Sequence, residues 1–99
     1  MNSYGEHFSK HVRIAILRVL AAAPAWKANS SILHSATDEL GLTATRDQIR
    51  TELAWLAEQR LVATSDMGGL VVATLTERGM DVAEGRTTVP GVQRPSPRG

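Results

Sequence analysis

A mainly α fold with one small β-hairpin, in the order helix-helix-helix-strand-strand-helix, is predicted by three features of the 99-residue chain. From Phe8 to Leu56, apolar residues recur at three- and four-residue intervals, the spacing that gathers side chains on one side of a helix. The period then gives way to two short runs rich in β-branched residues on either side of Gly68-Gly69, a pair suited to a tight hairpin turn. Finally, Thr76 stands where it can cap a short helix that stops at Gly85.

Each element has its own local cause. Ser3 and Glu6 have capping-box spacing and start the first helix near Tyr4. Phe8, Val12, Ala15 and Val19, with Ile16 and Leu20, form its inward stripe, and Pro24 ends it by Ala23 because the residue before a proline is pushed out of helical geometry. Asn29 or Ser30 caps a second helix whose buried side is Ile32, Leu33, Ala36 and Leu40, with Gly41 as its exit. Thr43 or Thr45 opens the third helix. Thr45 and Gln48 have capping-box spacing, which favours a helix over residues 46–59 with Ile49, Leu53 and Leu56 inward. Trp55 stands beside that stripe, where it either widens the core or packs against an additional element.

The strands are expected at Leu61–Thr64 and Leu70–Leu75, with Asp66, Met67, Gly68 and Gly69 as the turn between them. The last helix turns Met80 and Val82 or Ala83 inward. Two helices joined by a short glycine-containing turn make a helix-turn-helix. The hairpin adds a wing, so residues 1–85 read as a winged helix-turn-helix domain with Val12, Ala15, Val19, Ile32, Leu40, Ile49, Leu53 and Leu56 in its core. Residues 86–99 hold three prolines, three arginines and little to bury, and read as a flexible basic tail.

Composition narrows the function classes. The chain has no cysteine, which excludes disulfides, thiolate metal sites and cysteine nucleophiles. No stretch approaches the roughly 20 apolar residues of a membrane span, and Met1–Lys10 lacks the apolar run of a leader, so a cytoplasmic protein without membrane contact is expected. His7 and His11 are four apart on a helix but have no placed third ligand, and His34 is isolated, so no metal is expected. Asp38-Glu39 read as a solvated helix end, and no nucleophile, base and orienter fall together. No catalysis and no cofactor are therefore expected.

Charge is uneven along the chain. Residues 1–24 carry Lys10, Arg13 and Arg18 against Glu6, residues 25–85 carry five bases against nine acids, and residues 86–99 carry Arg86, Arg94 and Arg98 with no acid. Basic ends therefore flank an acidic middle.

The run Leu40-Gly41-Leu42-Thr43, the segment Ile49 to Leu61 with Leu53, Trp55, Leu56 and Glu58 ahead of Arg60-Leu61-Val62, and Leu75-Thr76-Glu77-Arg78-Gly79 resemble the corresponding parts of winged-helix regulators of the arsenical-repressor type. Residues 44–62 and the basic, proline-containing tail are more closely similar to small proteins of Mu-like phages and prophages that are labelled as regulators. The resemblance implies a recognition helix at Thr45 to Glu58 and a wing tip at Asp66 to Gly69. It does not imply metal sensing, for which members of the repressor type use cysteine or histidine clusters that are missing here.

As a DNA-binding domain, the chain is expected to read bases with Thr45, Arg46, Gln48, Arg50 and Thr51, since Arg46 and Arg50 share a helix face and guanidinium forks match guanine or phosphate. Phosphate contacts are expected from Arg13, Arg18, Lys27, Thr43, Arg86, Arg94 and Arg98. Two copies related by a two-fold axis would suit an inverted-repeat site, so a homodimer on duplex DNA is expected. Against this stand Asp47, Glu52 and Glu58 on the same helix and a wing tip with an acid and no base. The alternative is a protein-interaction module that turns an acidic central surface toward a phage or host partner.

Overall fold

The computed structural model describes residues 3–96. Its elements are α1 (Ser3–Ala22), a 3-10 turn (Pro24–Trp26), β1 (Lys27–Asn29), α2 (Ser30–Glu39), α3 (Arg46–Glu58), β2 (Val62–Met67), β3 (Leu70–Leu75) and α4 (Glu77–Ala83). The helices and hairpin fall in the expected order, and α1 to α3 surround a core to which Val12, Ile16, Leu17, Leu20, Leu33, Ile49, Leu53 and Leu56 are fully withdrawn from solvent. Ala15 is buried as expected, and Val19 is half-buried against the core.

The caps predicted for the second, third and last helices are in place. The Asn29 side chain accepts from Ile32 N–H, Thr45 Oγ1 from Gln48 N–H, and Thr76 Oγ1 from Gly79 N–H. Each of these three helices ends in the same way: the residue after the cap turns left-handed, and two amides close onto the last carbonyls. Gly41 and Leu42 donate to Asp38 and Thr37, Arg60 and Leu61 to Ala57 and Leu56, and Gly85 and Arg86 to Val82 and Asp81. Glycine fills the left-handed position after α2 and α4, at φ +84° and +80°, whereas α3 has Arg60 at φ +62°. A Cβ in that region is strained, so Arg60→Gly is expected to raise stability by about 0.5–1 kcal/mol in urea denaturation.

The sheet has a strand that sequence reasoning missed. Its order is β1-β3-β2, all antiparallel, with Lys27 opposite Thr74, Asn29 opposite Val72, and β2 paired to β3 from Val62/Leu75 out to Met67/Leu70. Lys27-Ala28-Asn29 is too short to show alternation, and it reaches β3 only because Ala25 and Trp26 take positive φ and redirect the chain. The hairpin is longer than expected: Asp66 and Met67 belong to β2, leaving Gly68-Gly69 as a two-residue turn with both φ positive, the geometry that matches strand twist.

Two predicted core residues are corrected. Ile32 is 55% exposed and Leu40 61% exposed, because α2 turns Leu33 and Thr37 inward instead. Thr37 tolerates burial because its hydroxyl donates to the carbonyls of Leu33 and His34. The second correction concerns the segment after α4, read as having little to bury. Val89 and Val92 join the core, Gln93 N–H donates to the Lys10 carbonyl, and Gly91 lies against Trp55. That segment is the additional element on which Trp55 packs.

Candidate nucleic-acid interface

The capped start of α3 fixes which of its side chains reach solvent. With Ile49, Leu53 and Leu56 directed inward, Arg46, Asp47, Arg50 and Thr51 are exposed. Arg50 donates through Nη2 to the carbonyl of Gly69, which ties the helix to the wing tip. The tip is also fixed internally, since Asp66 Oδ1 accepts from Gly69 N–H at 3.2 Å. On its other side, Val71 N–H donates to Ser30 Oγ at 3.1 Å and holds the wing against the start of α2. A small crevice lined by Ser30, Ser31, Arg46, Arg50 and Leu70 marks where the three elements meet.

Some predicted residues share this face and others do not. Thr45 is exposed but its hydroxyl is occupied as the cap, and the Thr51 hydroxyl donates back to the Asp47 carbonyl. Thr43 is exposed in the turn before α3. Gln48 is half-buried and lines a different hollow with Lys10, Arg13 and Gly91, so it is removed from the base-reading set. Lys27 is exposed on the edge strand β1.

Arg13 is the clearest correction among the phosphate candidates. Its Nε is 2.6 Å from Glu52 Oε1, its Nη1 donates to the Gly91 carbonyl at 2.9 Å, and its guanidinium lies 3.9 Å from the centre of a Trp55 ring. The Glu52 side chain is only 4% exposed and that of Arg13 16%, so both charges are withdrawn into the fold. Glu52, read from sequence as an acid opposing DNA, is therefore absent from the α3 surface.

Arg86 is corrected as well. It pairs with Asp81 at 2.9 Å and also with Glu84, and these hydrogen bonds, that to Asp81 foremost, hold its guanidinium above the ordinary arginine range. It stays charged, but its charge is matched locally. Arg18 and Arg94 line a hollow with Arg86 at the ends of α1 and α4, away from the crevice at the α3 start. Arg98 lies outside the described residues. Sequence reasoning missed Ser30, Ser31 and Leu70 as parts of the face; Ser30 was legible only as a possible cap.

Three helices, the short turn between α2 and α3 and the β2–β3 hairpin define a winged-helix domain. The chain is 49% identical over 86 residues to a protein of Escherichia phage Mu named uncharacterized protein gp26, covering 87% of this chain and 88% of that one. It is also 38% identical over 77 residues to an uncharacterized protein of Haemophilus influenzae, covering 77% and 74% of the two chains. The protein belongs to this phage Mu gp26 family. No family model and no solved structure matches it.

Among the described residues, no group of three or more His, Asp or Glu side chains is placed to hold a metal. No helix there is long and apolar enough to cross a membrane.

Proposed function

We propose that this phage-family protein is a DNA-binding regulator that engages duplex DNA through the start of α3 and the β2–β3 wing. The observation that carries the reading is the link from Arg50 to the Gly69 carbonyl, which joins the helix and wing into one surface while Arg46 stays exposed one turn earlier. Arg46 is then the main base-reading side chain, suited to the O6 and N7 acceptors of guanine. Arg50 retains further N–H donors for phosphate after its bond to the wing. The wing tip carries no base, so its own contribution comes from backbone amides at Gly68 and the positive charge that Arg50 brings to it.

Burial of Glu52 supports the same reading, because it leaves Arg46, Asp47 and Arg50 as the charged residues on the first turns of α3. It also weakens the acidic-surface alternative. With Arg13 set against Glu52, and Arg86 shared between Asp81 and Glu84, the nine acids of residues 25–85 face seven bases instead of five.

Titration of labelled random and phage-genomic duplexes at several salt concentrations tests the proposal. Saturable binding is expected that weakens with salt, and the R46A/R50A variant should lose at least about tenfold in affinity. Absence of binding at micromolar protein and low salt would refute it.

A further inference from the structure

The stripe Ile32, Ala36 and Leu40 repeats every four residues on one side of α2, yet the fold turns it outward and leaves Ile32 and Leu40 more than half exposed. Beside it, Leu40 and Leu42 form one wall of an apolar groove, and Ile14, Ala15 and Val19 of α1 form the other. An amphipathic pattern this regular is a core-type surface for which the monomer supplies no cover.

We propose that a second copy of this chain covers it, in a two-fold contact between the α1/α2 faces. The charges at the rim select that occupant. Arg18 lines the groove, is exposed, and has no ion-pair partner among the described residues. Asp38 and Glu39 are exposed in the last turn of α2, immediately before Leu40. That turn holds no basic residue, and the negative end of the helix dipole makes acids unfavourable there. One surface thus presents an apolar centre, an unmatched cation in Arg18 and a poorly placed anion in Glu39 beside Leu40, whereas Asp38 falls on the far side of α2 from Ile32, Ala36 and Leu40. A two-fold axis brings each Arg18 to Glu39 of the other copy, pairing these two charges while the apolar stripes meet. Arg46 and Arg50 stand outside this surface, so the inference goes beyond the DNA reading and fails or succeeds separately from it.

Sedimentation velocity of the full chain, from low micromolar to several hundred micromolar, reads the association directly. A monomer–dimer equilibrium is expected, and I32E and L40E, both at exposed positions, should each raise the dimer dissociation constant at least about tenfold while leaving the far-ultraviolet circular dichroism unchanged. R18E should weaken the dimer as well, and R18E combined with E39R should restore it. A wild-type monomer throughout the range overturns the proposal and assigns the face to a different protein. A dimer that survives both I32E and L40E places the contact elsewhere and overturns it too. Failure of the charge exchange to restore an R18E-weakened dimer overturns the two-fold register.

Discussion

Glu52→Ala is expected to lower stability by about 3 kcal/mol, the low end for breaking a buried ion pair. Glu52 is 3% exposed, and the Arg13 guanidinium it holds is enclosed between the Trp55 ring and the Gly91 carbonyl. Removing the carboxylate leaves a cation with too little water to replace it. The loss stops near the low end because Arg13 keeps Gly91 and Trp55. For a chain of this length such a change should lower Tm by roughly 15 °C. Glu52→Gln, which keeps the volume and an acceptor, should cost less.

The double variant R13M/E52M should recover most of the loss, since no unpaired charge is then buried. Urea denaturation of the two singles and the double gives the coupling energy. A loss below about 0.5 kcal/mol for Glu52→Ala would show that the pair is solvated and would contradict its burial.

The second large effect is at Gly79, where two physical arguments give opposite signs. Within a helix, Gly→Ala ordinarily stabilises by up to about 1 kcal/mol. Here an added Cβ would stand 2.1 Å from the Leu61 carbonyl oxygen and 2.6 Å from Leu75 Cδ1. The side chain of Leu75 can yield, but the Leu61 carbonyl cannot, because it accepts from Thr76 N–H at 3.1 Å and lies 3.0 Å from Thr76 Oγ1. Relief requires α4 to move off the α3–β2 corner, straining the cap that Thr76 forms with Gly79. Gly79→Ala is therefore expected to destabilise by about 3 kcal/mol, measured by the same denaturation. A variant as stable as the parent would mean that α4 does not dock closely on Leu61.

Features governed by neighbours in sequence were legible before the structure. The caps at Asn29, Thr45 and Thr76, the exits at Gly41 and Gly85 and the Gly68-Gly69 turn all formed as local chemistry predicts. Features governed by distant neighbours were not. Periodicity assigned Ile32 and Leu40 to the core because an apolar stripe on α2 is visible in sequence, whereas the capacity of Thr37 to bury itself against its own helix is not.

The same limit explains the charges. Arg13 and Glu52 are 39 residues apart, and each looked like a surface group until the fold placed one against the other. Val89 and Val92 gave no pattern on their own; the fold buries them where Gly91 lies against Trp55 and Arg13 and Gln93 N–H donates to the Lys10 carbonyl. On α3, Arg46 and Arg50 were identified correctly as exposed, but the link from Arg50 to the wing required the hairpin to be in place.

The proposed DNA-contacting face combines the start of α3 with the wing. It is tested most directly by nitrogen–proton NMR of the labelled protein during titration with a bound duplex. The largest shift changes are expected at Ser30 and Ser31, across Thr43 to Thr51, and at Gly68 and Gly69, with little change in residues 89–93. Changes confined to the Arg18 and Arg94 hollow, or to Ile32 and Leu40, would contradict it.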